Sequence, residues 1–250
     1  MVEKIDSLER LPRKAKDELK KFCLALKDTL GENLLSIIIY GSVLRDDFLP
    51  GHSDVNIMLI VKEVDIHLLK KVAPLVERAN RRALIEPLFL TLDYIKTSLD
   101  TFPIEYLNIK KEHITLYGED PFNEIELSPD DLRIQMEREW KLNYIRLQQA
   151  YFRSYKDRDA LIRVIMKSFN SFSHLLSALF FLKGFASKDK QEILQKMVRE
   201  FFVREEIVNW LSDLRKRKEK LGRDEIEKRF DEYIKMIERI MYALESLKEG

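Results

Sequence analysis

Proline divides this chain: all seven prolines fall at or before Pro129, and none follows. Proline removes a backbone donor and collides with the preceding turn of a helix, so a long stretch without it can be helical throughout. The stretch after Pro129 reads that way. It opens on Ser128-Pro129-Asp130-Asp131, which gives a capping residue, a first-turn proline and two acids at the positive end of a helix. Apolar residues then recur at helical spacing through residues 132–155, 158–183, 188–202, 204–220 and 224–247, with Gly184 and Gly222 in two of the breaks. The proline-bearing half alternates instead. A helix runs from Leu11-Pro12 to about Leu30 and stops at Gly31, and apolar strands follow at Leu34 to Tyr40 and Asp54 to Val61. A second helix spans Asp65 to about Asn80 with a kink at Pro74, and a third strand lies near Leu84 to Leu92. This pattern predicts an α+β chain: a mixed-sheet domain with flanking helices over residues 1–127, then an all-α bundle over 128–250.

The segment Leu34 to Val61 carries the chemistry. Its first strand ends in Ile37-Ile38-Ile39-Tyr40 and turns at Gly41-Ser42, where a helix start would offer backbone N–H groups to phosphate oxygens. A polar stretch closed by Pro50-Gly51 leads to Ser53-Asp54-Val55-Asn56 on the next strand. Residues two apart on a strand share a face, so Asp54 and Asn56 converge while Val55 turns into the core.

This combination resembles the active-site hairpin of the polymerase-beta-type nucleotidyltransferases, in which a Gly-Ser follows the first strand and an Asp-x-Asp pair binds Mg²⁺. Here the second acid is Asn56, as in an uncharacterised prokaryotic subgroup that the stretch Ser98 to Pro121 also resembles. The two-domain plan is similar to that of kanamycin-type nucleotidyltransferases. The resemblance implies transfer of a nucleoside monophosphate from a nucleoside triphosphate to a hydroxyl of a small molecule or protein. It implies Gly41 and Ser42 at the triphosphate, and Asp54 and Asn56 as catalytic metal ligands. A third carboxylate is expected from a later strand, with Glu86 and Asp93 as candidates. Pro87 cannot donate to a ladder, so that strand belongs at a sheet edge or begins near the proline, and the face of Glu86 stays open. Asn56 brings an oxygen without charge, which weakens a Mg²⁺ site and leaves a second reading, a nucleotide-binding or antitoxin-like interaction module that has lost the chemistry.

In the helical half, Arg163, Lys167, Asn170, His174 and Ser177 follow one another at spacings of four, three, four and three, opposite a broad apolar face. Two readings compete: Arg163 and Lys167 bind the triphosphate with His174 as a base, or the stripe is a solvated or hydrogen-bonded structural seam. His174 has no arginine four to six residues before it, which argues against a HEPN-type ribonuclease. The run Arg215-Lys216-Arg217-Lys218-Glu219-Lys220 lacks interleaved aromatic residues and sits where a helix end favours cations, so nucleic acid is not expected as a partner.

Composition closes other routes. The 45% hydrophobic content suits a proper core, no stretch has the length of a membrane span, and the charged N-terminus is no signal peptide, so a cytoplasmic protein is expected. The single cysteine, Cys23, excludes a disulfide framework, and the four histidines lack zinc spacing. Charged residues reach 35% at a net charge of +1, which fits a thermophilic source with surface ion-pair networks. Oligomeric state, as homodimer or with a partner protein, is left open.

Overall fold

The computed structural model describes residues 1–45, 48–185, 187, 190–214 and 221–245. Backbone contacts divide the chain into two compact units, Met1–Leu127 and Ser128–Gly250. Among the described residues, no helix is long and apolar enough to cross a membrane.

The first unit is built on four strands, β1 (Leu34–Tyr40), β2 (Val55–Val61), β3 (Ile85–Leu90) and β4 (His113–Tyr117), in the order β3-β2-β1-β4. β1 runs antiparallel to both β2 and β4, whereas β2 and β3 are parallel. A parallel pair needs a crossover, and helix α3 (Ile66–Ala83) supplies it. Short α1 (Val2–Asp6) and long α2 (Arg13–Leu30) precede β1, while α4 (Leu92–Thr97) and α5 (Pro103–Lys111) lie between β3 and β4.

Both faces of the sheet are covered, which explains why β1 and β2 read as unbroken apolar runs. Ile37, Ile39, Val55, Ile57, Leu59 and Val61 pack on Leu19, Phe22, Leu26 of α2 and Leu68, Val72 of α3. Ile38, Met58 and Ile60 pack on the other side against Ile95, Tyr106, Ile109 and Phe122. Cys23 is fully buried in the first of these layers, and burial pushes its thiol up to about 12.

Two local devices set the strand ends. Helix α3 starts on Asp65, whose carboxylate accepts from the Leu68 N–H at 2.7 Å, and continues across Pro74 at the loss of one helical hydrogen bond. It ends at Leu84, which is left-handed at φ 51° and whose carbonyl accepts from Val55 N–H at 2.8 Å. A left-handed leucine costs about 1–2 kcal/mol, and that bond to β2 holds it there. Alternation from Leu84 turns the backbone groups of Glu86 toward β2 and those of Pro87 toward the open edge, where a missing donor breaks no ladder bond.

Among the described residues, the regular structure of the second unit is all helix: α6 (Pro129–Arg153), α7 (Arg158–Leu182), α8 (Lys190–Phe201), α9 (Glu205–Asp213) and α10 (Arg223–Glu245). Ser128 caps α6 by accepting from Asp131 N–H, and Asp157 caps α7 by accepting from Ala160 N–H at 2.9 Å. Helix α7 packs against all four others, and Phe169, Phe172 and Leu176 meet a core that includes Trp140 of α6 and Tyr233 of α10. A polar seam crosses this core. Ser168 bonds to Asn143 at 3.0 Å and to the Tyr233 hydroxyl at 2.9 Å, so one member comes from each of α6, α7 and α10, with Ser168 and Tyr233 buried and Asn143 half-buried.

Candidate active site

The site grows from the place where β1 hands the chain to β2. Gly41 has φ 85°, and a Cβ there would lie 2.9 Å from Asn56 Nδ2, so only glycine lets the turn descend onto the Asn56 side chain. The expected helix after Gly41 is a single 3-10 turn, Ser42–Leu44, pinned by buried Val43. Three residues leave too little helix for a dipole-based phosphate cradle, so any phosphate contact from Gly41 and Ser42 is local to the turn.

Strand register then gathers the polar residues. Tyr40 pairs with Asn56, and Asn56 pairs with Glu86, so the three side chains leave the same face in a row across β1, β2 and β3. The face of Glu86, open in the sequence, is thus the face of Asn56. Asp54 immediately precedes β2 and lies two residues before Asn56. Asp54 and Glu86 are exposed and Asn56 is half-buried. Among the described residues, the side chains of Ser42, Asp54, Asn56 and Glu86 make no hydrogen bond or ion pair. Tyr40 senses the site: burial raises its phenol, and the Glu86 charge raises it further.

β4 extends the row to His113, which pairs with Tyr40. Its ring is occupied on both sides, with Nδ1 2.8 Å from the Ile109 carbonyl and Nε2 2.9 Å from Asp120, and it meets Phe122 edge-on. Asp120 also accepts from Phe122 N–H at 2.9 Å. His113 therefore ties the loop after β4 to the sheet. Gly118 belongs to the same fastening, since a Cβ there would lie 1.9 Å from the Leu35 carbonyl oxygen.

The other expected residues lie elsewhere. Asp93 is in the first turn of α4 and not on β3. Arg163 and Lys167 are exposed on α7 of the second unit, where Arg163 lies 3.6 Å from Asp157. The run Arg215 to Lys220 lies outside the described residues. Tyr40 and Leu84 were missed by sequence reasoning. Tyr40 could have been found, because it sits two residues beyond Ile38 on the same strand face and directly before Gly41.

Two carboxylates with a carboxamide between them form an all-oxygen donor set, which fits a hard cation such as Mg²⁺ in kind while carrying less charge than three acids. Among the described residues, no three His, Cys, Asp or Glu side chains are grouped to hold a metal ion.

A four-stranded mixed sheet with helices on both faces, followed by an all-helical unit, is the fold of the kanamycin-nucleotidyltransferase-like type. Among solved structures, the chain is similar to the spectinomycin adenyltransferase AAD(9) from Enterococcus faecialis, determined with ATP and spectinomycin. The match has a TM-score of 0.56 at 13% identity and covers 89% of this chain and 98% of that one. No protein-family model matches the chain, and no curated protein matches it in sequence.

Proposed function

We propose that the first unit binds a nucleoside triphosphate with Mg²⁺ and transfers its nucleoside monophosphate to a hydroxyl acceptor. The observation that carries this reading is the alignment of Asn56 and Glu86 on one sheet face, with Asp54 two residues before Asn56, and with no hydrogen bond or ion pair from any of the three side chains among the described residues. Carboxylates that no neighbour engages keep their oxygens available to a ligand. The AAD(9) structure, which holds ATP on a similar fold, supports the choice of nucleotide.

In this reading Asp54 and Glu86 supply the negative charge that holds the cation, and Asn56 adds a neutral oxygen between them. Mg²⁺, when bound, would neutralise phosphate charge and orient the reacting oxygens. Gly41 gives the turn its close approach, and the Ser42 hydroxyl donates to a phosphate oxygen. The acceptor oxygen bonds to the α-phosphorus, the bond to pyrophosphate breaks, and the hydroxyl proton passes to solvent through a carboxylate. Asn56 favours a second reading, a nucleotide-binding or protein-interaction module that retains the fold with the chemistry lost.

Calorimetry and thermal shift with the four ribonucleoside triphosphates, with and without Mg²⁺, test the first reading. The parent is expected to bind at least one in a Mg²⁺-dependent manner, and Asp54→Ala is expected to weaken that binding at least about tenfold, or about 1.4 kcal/mol. Equal binding by Asp54→Ala would sink the assignment. Mg²⁺-dependent binding without turnover on any hydroxyl acceptor would favour the second reading.

A further inference from the structure

The turn between α6 and α7 exposes two aromatic rings that the second unit does not use. Phe152 is 75% exposed and Tyr155 is 62% exposed. These rings are held in place by their surroundings. Tyr151, between the core and the pair, stacks on Phe230 at 5.4 Å, bonds through its hydroxyl to Glu227 at 3.1 Å, and touches both outer rings edge-on. Ser154 is buried, its hydroxyl donates to the Ala150 carbonyl at 2.9 Å, and its own carbonyl accepts from Arg223 at 2.8 Å. Arg158 fastens the far side of the turn by donating to the Leu221 carbonyl at 2.7 Å. Two apolar faces are thereby presented to water on a fixed backbone, an arrangement that lowers the ordering cost of binding.

The charges around the rings are unevenly engaged. Arg153 and Lys156 alternate with the two aromatics along the chain, are exposed, and have no hydrogen bond or ion pair among the described residues. The neighbouring carboxylates are already engaged. Asp157 caps α7 and faces Arg163 at 3.6 Å, Asp159 meets Arg158 at 2.5 Å, and Glu227 binds Arg223 at 2.6 Å. The free charge at this turn is therefore positive. An apolar protein partner would bury Arg153 and Lys156 without a counter-charge, which is costly, whereas a chain of phosphates and planar bases matches both features.

We propose that this turn is a binding site for single-stranded nucleic acid, with Phe152 and Tyr155 stacking on successive bases and Arg153 and Lys156 contacting the phosphates. Single strands are specified because ring faces need unstacked bases, which a duplex withholds. The sequence reading set nucleic acid aside because the basic run at 215–220 had no aromatic residues within it. The α6–α7 turn carries its own rings and cations, whereas that run lies outside the described residues.

The test is fluorescence anisotropy of the full chain with a labelled single-stranded RNA of about 16 nucleotides and with the same sequence as a duplex. The parent is expected to bind the single strand more tightly than the duplex, and saturating ATP with Mg²⁺ is expected not to displace it. Phe152→Ala with Tyr155→Ala should weaken binding about tenfold or more, since stacking contributes about 1–3 kcal/mol per base. Arg153→Gln with Lys156→Gln should reduce the slope of log affinity against log salt by about 1.4, for two phosphate contacts on a single strand. Phe152→Leu with Tyr155→Leu serves where the alanine pair lowers the melting temperature. Leucine keeps apolar area without a ring face, and the same loss is expected. The proposal is overturned by absence of binding at low salt, by equal affinity for duplex, or by full retention in the leucine pair. A parent dimer that the aromatic substitutions dissociate would also overturn it, because the rings would then join two copies of the chain.

Discussion

The two units each gather polar side chains from several elements, and they leave them in opposite states. In the bundle, Asn143, Ser168 and Tyr233 come from three helices and bond to one another at 3.0 and 2.9 Å, with Ser168 and Tyr233 buried and Asn143 half-buried. In the sheet unit, register aligns Tyr40, Asn56 and Glu86 across three strands, with Asp54 two residues before Asn56, and leaves both acids exposed with no hydrogen bond or ion pair among the described residues. The closed set contributes to the fold because the two buried hydroxyls, of Ser168 and Tyr233, have found each other. The open set contributes little to the fold, and its oxygens remain free for a ligand. An asparagine and a tyrosine occur in both sets and acquire different roles from whether their partners are internal.

Breaking the closed set should produce the larger effect on stability. Ser168→Ala leaves the Tyr233 hydroxyl buried without its partner and should cost about 1–3 kcal/mol in urea denaturation. Adding Tyr233→Phe should cost less than the sum of the two single changes, as expected for groups that act as one unit. A Ser168→Ala loss of under about 0.5 kcal/mol would mean that the seam contributes no more than a surface residue.

In the open set the corresponding change should alter binding while leaving stability nearly untouched. Asn56→Asp places a third negative charge in the row and should raise Mg²⁺-dependent nucleotide affinity by about tenfold, because a unit charge near a cation contributes about 1–4 kcal/mol at surface screening. Its melting temperature without metal should stay close to that of the parent or fall slightly from repulsion. Unchanged affinity, measured by calorimetry, would remove Asn56 from the ligand set.

Alkaline pH separates the two units by a smaller, directional effect. Burial pushes the Lys111 amine down to about 8, so between about pH 8 and its unfolded value near 10.4 the unfolded chain binds more protons and stability rises with pH. Burial raises the Tyr233 phenol, so above about pH 10 the unfolded chain has lost a proton that the folded one keeps, and stability falls. The destabilisation of Lys111→Met relative to the parent should therefore grow from pH 8 to 10, and that of Tyr233→Phe should shrink above pH 10. Parallel pH profiles for parent and variants would contradict the burial of these two groups.

The elements with a strong period were legible in the sequence. Helix α2, strands β1 and β2, and α6, α7, α8 and α10 fall within a few residues of where apolar spacing puts them, whereas α9 stops at Asp213 and the rest of its expected span, 215–220, lies outside the described residues. Helices α4 and α5 and strand β4 were not. α5 is buried on several sides through Pro103, Ile104, Tyr106, Leu107 and Ile109, which erases the one-sided stripe that marks a helix, and β4 follows it with no turn residue other than Glu112. The hairpin part of the site was readable because Asp54 and Asn56 share one strand. Glu86 was readable only as a candidate, since its face depends on pairing with β2 through a left-handed Leu84 that no spacing rule anticipates. In the helical half, periodicity put Arg163 and Lys167 on one side of α7, while spacing alone did not reveal that Ser168, their neighbour in the chain, belongs to the polar seam.

The pairing of β4 with β1 has a consequence for the order of assembly. Tyr40 meets His113 across the whole of β2, α3, β3, α4 and α5, whereas β1 and β2 are joined by a short connection and β2 and β3 by a single helix. Closing the longer loop takes more chain entropy before any contact rewards it, so β1, β2, α3 and β3 can condense first and β4 docks last. As the nascent chain lengthens, β1 waits with an unpaired edge until His113 to Tyr117 are made, and this interval is when the first unit is most exposed to misassembly.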